Sequence, residues 1–334
     1  MPQLSSFLQR PLGKLVAFGL LVVISLSYVV VANHLIYSSF QQSSTSSIVD
    51  HQENESIVSV DAYWTVARMN SATDEDVQLS SAADFNQGSS DLNAGQAAQK
   101  DGQAPSDGTI GYPLSTIGKI FFSLSGRDYV CSGTAIVSNN HNTVDTAGHC
   151  IYGSGGWGTN VMFCPLYANG STPYGAVPDG CWVAKELAAP NGWINARPND
   201  LHQDFGMIVV YPNDAGNLTD VVGGAGWAYN QQVKQPFYAY GYPAGYPFNG
   251  QTRKSCENAS PKNWTYHAGG RVVSIPCNMT GGSSGGGWFI KSGNSWYLDG
   301  HNDFTSTAQP GHMFSPYYDN TWYTLYNNAQ NQGA

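Results

Sequence analysis

Short apolar runs separated by turn residues dominate the chain from Ile110 onward. The runs are rich in aromatic and β-branched residues and are bounded by Gly, Pro, Asn and Ser, which is typical of strands. Their spacing favours a sandwich or a closed barrel over alternating strands and helices. The pattern predicts an all-β domain over residues 109–334, in which residues 317–328 fit either a closing helix or one more strand. The predicted strands contain IGKIFFSLS, YVCSGTAIVS, FGMIVVYP, FYAYGYP, RVVSIP, GWFIKSG and SWYLDG.

Residues 33–108 have a different pattern, with runs of Ser, Gln, Asn and Asp that offer little apolar surface to bury. They are interpreted as a low-complexity prosegment or linker. One island, residues 61–72 (DAYWTVARMNSA), carries several apolar side chains. It fits two interpretations equally, a segment that docks on the folded domain or a sticky stretch in a disordered tail.

An apolar run at residues 15–32 follows Arg10 and Lys14, and no acidic residue occurs before Asp50. Its length lies between that of a long signal-peptide core and a short transmembrane helix. The run therefore predicts an export signal that is either removed after Ala32 or retained as a membrane anchor. In both cases the positive flank stays inside, so the rest of the chain is secreted or anchored on the outer face of the membrane.

The formal net charge of -9 is concentrated in residues 50–107, which carry eleven acidic and two basic side chains. The predicted domain is close to neutral. No dense stripe of Lys and Arg occurs anywhere, which argues against a nucleic-acid partner.

Six cysteines in an exported chain indicate disulfides. Six allow about fifteen connectivities, and pairing between nearest neighbours is preferred because it closes three local loops, each contributing about 3 kcal/mol. No CxxC spacing and no HExxH pair is present, so neither a metal nor another cofactor is predicted. The cysteines are Cys131, Cys150, Cys164, Cys181, Cys256 and Cys277.

Three segments carry the residue types of nucleophilic catalysis, in the order His, Asp, Ser. His149 follows a predicted strand pair and would be held in place by a bond from Cys150 to Cys131, as a general base requires. Asp204 begins a strongly apolar run and would accept the other ring N–H of the histidine. Asp200 lies close by but does not begin that run.

Ser284 lies in the glycine-rich segment GGSSGGG. Glycines let the backbone turn tightly and leave N–H groups pointing into open space. The amides of Gly282 and Ser284 would form an oxyanion hole, each lowering the barrier by about 3 kcal/mol. Taken alone, the segment fits a flexible loop equally well, and the histidine and aspartate segments favour the catalytic interpretation.

The blocks TAGHC and GSSGG resemble the TA-x-HC and G-x-SGG signatures of the chymotrypsin/trypsin-like serine peptidases, and DFGMIVV resembles their aspartate segment. The resemblance covers about residues 110–330. It implies two six-stranded antiparallel β-barrels with the active site in the cleft between them. It also implies a monomeric endopeptidase that hydrolyses protein or peptide substrates through an acyl-enzyme on Ser284. WTVARM is similar to a motif upstream of the catalytic domain in secreted microbial members.

Two positions depart from the animal digestive branch of that family. Ser283 replaces the aspartate before the nucleophile, which puts activation by a newly cut N-terminus in question and resembles bacterial members and glutamyl endopeptidases. Asn278 replaces the aspartate that selects Lys or Arg, so cleavage after basic residues is not expected. A prosegment long enough to reach the cleft could still inhibit the enzyme sterically.

The predicted specificity pocket contains Asn278, Met279, Thr280, His301 and Asn302. A histidine in this pocket would resemble the glutamate-selecting members. The alternative is a structural histidine that forms hydrogen bonds near a strand end.

Two other functions fit parts of the chain. One is an inactive homologue that serves as a binding or adhesion module, although such proteins often lose a triad member. The other is an esterase with a nucleophile elbow, but three glycines after Ser284 are a poor helix start.

Overall fold

The computed structural model describes residues 47–74, 78–79, 85–87, 98–103, 111–196, 200–266 and 270–333. The export segment predicted at residues 15–32 lies outside these ranges. Within the ranges, no helix has both the length and the apolar character needed to cross a membrane. The elements are mostly strands, as the pattern of apolar runs predicts.

Six antiparallel strands of the N-terminal half close into a barrel. Its interior is filled by large apolar side chains, including Phe163, Trp182 and Ile208, which are fully buried. The barrel is therefore a packed core. In order around the ring the strands are β6 (Ile117–Leu124), β7 (Arg127–Ile136), β8 (Thr143–Ala147), β15 (Phe205–Val210), β14 (Trp182–Pro190) and β11 (Thr159–Pro165).

Two six-stranded sheets combine strands of the C-terminal half with three short strands from residues 78–100, and they share one core around Phe237, Ile275 and Trp288. The all-β fold class is confirmed, and closure of these sheets into a second barrel stays a prediction. One sheet has the order β18 (Lys254–Ala259), β17 (Phe237–Gly241), β21 (Gly287–Ser292), β22 (Ser295–His301), β16 (Trp227–Tyr229) and β5 (Ala98–Lys100). The other has the order β3 (Gln78–Leu79), β23 (Phe304–Ser306), β24 (His312–Pro316), β20 (Arg271–Pro276), β19 (Lys262–Tyr266) and β4 (Phe85–Gln87).

Residues 47–74, which belong to the predicted prosegment or linker, pack on the barrel as regular elements. Strand β1 (Ile48–Gln52) pairs with β14, and two short helices follow, α1 (Ile57–Tyr63) and α2 (Val66–Ser71). Trp64 between the helices is 1% exposed, and its indole N–H donates to the Asn160 carbonyl at 2.6 Å. Of the two interpretations of the island around Trp64, the structure supports docking.

The remaining elements are short, except for the C-terminal helix Asn320–Ala329. Of the two predictions for residues 317–328, the closing helix is therefore the one the structure has. Asp319 caps that helix by accepting from the backbone N–H groups of Thr321 and Trp322. Its buried face includes Trp322 and Leu325. Both side chains belong to a hydrophobic cluster that has members from the two halves of the fold. These elements are β2 (Thr73–Asp74), β9 (Tyr152–Gly153), β10 (Gly156–Trp157), β12 (Ser171–Thr172), β13 (Gly175–Ala176), α3 (Asn191–Ala196), α4 (Leu218–Val222) and α5 (Asn320–Ala329).

The cysteines form three disulfides between nearest neighbours. Each closes a local loop, and two of the three begin in the barrel strands β7 and β11. The pairs are Cys131–Cys150, Cys164–Cys181 and Cys256–Cys277.

Candidate active site

His149 and Asp204 are brought together by the pairing of β8 with β15. His149 lies in a single 3₁₀ turn, Gly148–Cys150, directly after β8. Asp204 directly precedes β15, and Phe205 is the register partner of Ala147. The ends of the two strands therefore place the aspartate beside the histidine turn, and the Cys131–Cys150 disulfide fixes that turn to β7.

Asp204 contacts His149 through both of its carboxylate oxygens. The backbone N–H of His149 donates to Oδ1 at 2.7 Å, and the ring Nδ1 lies 2.9 Å from Oδ2. A Cβ on Gly148 would lie 2.8 Å from the same Oδ1, so the turn requires glycine there. The two contacts fix the imidazole plane and leave its Nε2 for the nucleophile side.

Burial and charge act in opposite directions on this pair. Burial alone would lower the pKa of His149, but the charge and hydrogen bonding of Asp204 raise that pKa well above its ordinary value. Burial alone would raise the pKa of Asp204, but the charge of His149 and the hydrogen bonds it donates lower that pKa. Asp204 therefore stabilises the imidazolium that forms when His149 takes up a proton.

Ser284 lies in the loop between β20 and β21. This loop packs against β7, the strand that carries Cys131 of the Cys131–Cys150 disulfide. The Ser284 carbonyl accepts from the Ser132 backbone N–H at 2.7 Å, and its Oγ donates to the Asp303 carbonyl at 3.4 Å. His149 Nε2 is buried and has no hydrogen-bond partner within the described ranges. The bond between nucleophile and base is thus not closed, as is common in enzymes without substrate.

The loop around Ser284 has the conformation that the glycines predict. Gly282 has φ +88°, and a Cβ there would lie 2.9 Å from the Tyr242 carbonyl. Neighbouring amides are engaged, since Ser283 donates to Thr280 and Gly285 donates to Asn302. The amides of Gly282 and Ser284 donate to no backbone carbonyl of the described chain.

A cavity of about 500 Å³ lies beside the segment that leads to Ser284. Asn278, Met279 and Thr280, three of the residues predicted for the specificity pocket, line it. Sequence reasoning missed the rest of the wall because it belongs to β23, β24 and the turn between them, which no motif marks. That part includes Thr305, Ser306, Thr307 and His312.

His301 and Asn302 do not line this cavity, contrary to the prediction, because both are completely buried and engaged elsewhere. His301 Nδ1 lies 3.0 Å from the Tyr318 hydroxyl, and Nε2 lies 3.1 Å from the Asp204 carbonyl. The Asn302 side-chain amide donates to the carbonyls of Tyr240 and Ser283. His301 is thus a structural histidine behind Asp204.

A third carboxyl group, Asp303, lies at this site and was not found from the sequence. Its Oδ1 is 3.4 Å from His149 Nδ1. His149, Asp204 and Asp303 each bring a titratable atom within 4.8 Å of the others.

The fold and the site are those of a β-barrel hydrolase with a buried His–Asp pair beside a glycine-flanked serine, and solved structures identify the group more closely. Protease Anisep from Arthrobacter nicotinovorans is 37% identical with a TM-score of 0.57, over 69% of this chain and 99% of that one. A thermostable serine protease, AL20, from an extremophilic microorganism is 36% identical with a TM-score of 0.57, over 66% of this chain and 100% of that one. No family model and no curated protein matches the chain.

The chain belongs to the chymotrypsin/trypsin-like serine protease family. The resemblance based on the TAGHC and GSSGG blocks is thereby confirmed. Both similar structures are microbial proteases.

Proposed function

We propose that this protein is an exported serine endopeptidase with Ser284 as nucleophile, His149 as general base and Asp204 as the residue that orients the base. The observation that carries the proposal is the two-point contact of Asp204 with His149, at 2.7 and 2.9 Å. The disulfide from the histidine turn to β7, the strand that also binds the Ser284 backbone, supports it. Three disulfides fit an extracellular location, either free or tethered through residues 15–32.

In the acylation step, Ser284 Oγ attacks the carbonyl carbon of the scissile peptide bond, and its proton passes to His149 Nε2. The amides of Gly282 and Ser284 hold the negative charge that develops on the carbonyl oxygen. The imidazolium then gives its proton to the departing amine, and the C–N bond breaks. Water attacks the resulting ester by the same route, so Ser284 is regenerated and the acid is released.

The cavity at Asn278 is proposed as the pocket for the side chain before the cleaved bond. Its wall offers an amide and hydroxyl groups but no carboxylate. Burial and the nearby charge of Lys262 lower the pKa of His312. A neutral imidazole and hydroxyl groups suit uncharged polar side chains, so cleavage after Lys or Arg is not expected.

A fluorophosphonate probe tests the nucleophile directly. We expect the processed protein to be labelled, with labelling lost in Ser284→Ala and kept in Ser283→Ala. Ser283 is the matched control because it is adjacent and buried, and its Oγ donates to the Thr280 carbonyl rather than facing His149. Labelling that persists in Ser284→Ala would contradict the assignment.

We also propose that residues 33–108 are an inhibitory prosegment, with residues 1–32 as the export segment and residues 109–334 as the catalytic domain. Support comes from two short parallel pairings beside Ser284. Strand β2 pairs with β7 at Tyr129 and Val130, and β3 pairs with β23 at Thr305 and Ser306. Strands β2 and β3 therefore occupy strand edges on both halves of the fold, and such edges are where an extended peptide substrate would pair.

Contacts at Asp74 point to the same function for this segment. A Cβ on Gly281 would lie 2.2 Å from Asp74 Oδ2, and one on Gly245 would lie 3.2 Å from the same atom. The carboxylate therefore lies against the loop that leads to Gly282 and Ser284. Tyr63 and Arg68 anchor the preceding helices through Asp128, each at 2.7 Å.

Trp64→Ala is expected to expose the active site of the uncleaved protein. Loss of a fully buried tryptophan costs about 3–5 kcal/mol, and the lost packing lies between the helices and the barrel. We expect the uncleaved variant to react with the fluorophosphonate at least about tenfold faster than the uncleaved wild type. Val66→Ala is the matched control because Val66 is 68% exposed, and equal rates in all three proteins would argue against inhibition by this segment.

A further inference from the structure

The carboxyl group of Asp303 lies beside His149 and Asp204 but accepts no hydrogen bond from the described residues. Its side chain is completely buried, and neither carboxyl oxygen accepts a hydrogen bond from the described residues. Its Oδ1 nevertheless lies 3.4 Å from His149 Nδ1, which is already engaged by Asp204. The fold thus places a second carboxyl group beside the pair, and the His149 ring N–H that would stabilise its anion is already engaged by Asp204.

Electrostatics decides which of the two carboxyl groups carries a proton. Two carboxylates beside one imidazole would leave a net negative charge in a buried site in either protonation state of His149, which is costly. Asp204 accepts two hydrogen bonds from His149, whereas Asp303 accepts none. The proton therefore belongs on Asp303, as in other carboxyl pairs that share one site.

Protonation equilibria of the two groups agree with this geometry. Burial and the charge of Asp204 raise the pKa of Asp303 well above its usual range, against the opposing effect of His149. The pKa of Asp204 is lowered, because the charge and hydrogen bonds of His149 outweigh burial. The pKa values of the two carboxyl groups are thus shifted in opposite directions, which favours a neutral acid at Asp303 and a carboxylate at Asp204.

We propose that Asp303 is a positioning residue that stays a neutral carboxylic acid and donates a hydrogen bond to the Asp204 carboxylate. This proposal rests on the proposed triad. The bond would fix the carboxylate that orients His149, while the backbone carbonyl of Asp303 accepts from Ser284 Oγ. Besides His149, the titratable groups behind Asp204 include His301, on the Asp204 carbonyl, and Asp145, 3.4 Å from His301 Nδ1. The Tyr318 hydroxyl lies 3.0 Å from His301 Nδ1 and donates to Asp145 at 2.6 Å.

The protonation state of Asp303 affects the pKa of the proposed base, His149. A second carboxylate this close to His149 would favour the imidazolium and keep the base protonated at neutral pH. A neutral acid contributes a hydrogen bond without that penalty. The proposal therefore predicts that an uncharged donor of similar shape can replace Asp303, whereas a group without a donor cannot.

Asp303→Asn and Asp303→Ala in the processed enzyme test the proposal. We expect kcat within about threefold of wild type for Asn and about 10- to 100-fold lower for Ala, with KM nearly unchanged in both. The pKa of the acid limb of kcat/KM, which reports the base, should be the same in Asp303→Asn and in wild type. Thermal unfolding verifies that each variant is folded.

Stability gives a readout that does not depend on activity. A pKa raised by folding means that the folded state takes up a proton, so stability is lost as pH rises from the unfolded pKa of about 4 towards the raised value. We expect the Tm of Asp303→Asn minus the Tm of wild type to increase as the pH is raised from about 4 to about 8.

Three results would overturn the proposal. One is an acid limb whose pKa falls by a unit or more in Asp303→Asn, because that would show an ionised Asp303. Another is equal kcat in both variants. The third is a Tm difference that does not change with pH. Failure of Ser284 labelling would overturn the triad instead, while the Tm test would still report whether Asp303 is neutral.

Discussion

Replacement of Ser284 by alanine is expected to lower kcat of the processed enzyme by about 10⁶-fold, with KM within about threefold of wild type. The acyl-enzyme cannot form without Oγ, whereas the pocket and the oxyanion-hole amides still bind substrate. The variant should fold normally, because Oγ makes a single 3.4 Å hydrogen bond whose loss costs about 1 kcal/mol or less. Peptide hydrolysis under saturating substrate and thermal unfolding measure the two effects.

A double variant gives the sharper form of this test. If Ser284 and His149 act as one unit, His149→Ala should lose about as much activity as Ser284→Ala, and the double variant should lose no more. Losses that multiply would show that the two residues act independently, and the proposed proton transfer to Nε2 would then be wrong.

The segments of the proposed triad could be recognised in the sequence because each has a local cause. His149 follows a strand in a cysteine-anchored turn, Asp204 begins an apolar run, and Ser284 is flanked by glycines. The contact between His149 and Asp204 spans 55 residues and depends on the register of β8 and β15. Periodicity predicts strands but not which strands pair, so only the order of the motifs pointed to this contact.

The errors at the pocket have a specific physical origin. His301 ends β22 and Phe304 begins β23, so strand alternation does not carry across the intervening residues. Sequence proximity to Ser284 therefore said nothing about the direction of each side chain. His301 is completely buried behind Asp204, and Asp303 lies in the triad cluster. His312, which does line the cavity, lies on β24 in the other sheet.

The docking of residues 47–74 was left open for a similar reason. An apolar side chain in a polar segment stabilises the fold only if a matching surface exists, and that surface lies far along the chain. Trp64 finds its partner at Asn160, 96 residues away. Composition measures how much apolar surface a segment offers, not whether the domain presents a place to bury it.

Asp204→Asn is expected to lower kcat by about 10⁴-fold at neutral pH without unfolding the protein. Asp204 accepts from two donors of the same residue, the backbone N–H and the ring Nδ1–H of His149. An asparagine has one acceptor oxygen, so either its NH₂ group faces the backbone N–H or the imidazole takes the tautomer with the proton on Nε2. In the second arrangement His149 cannot accept the serine proton, and in the first the turn that holds it is disturbed.

Asp200→Asn supplies the matched control for this prediction. Asp200 lies four residues earlier, at the other end of a single 3₁₀ turn, Leu201–Gln203, and pairs with His202 instead of His149. We expect kcat within about twofold of wild type, since this carboxylate contacts neither His149 nor Ser284 in the described structure. Fluorophosphonate labelling should slow in Asp204→Asn and remain unchanged in Asp200→Asn. The reverse pattern would move the orienting function to Asp200, which the two-point contact at His149 argues against.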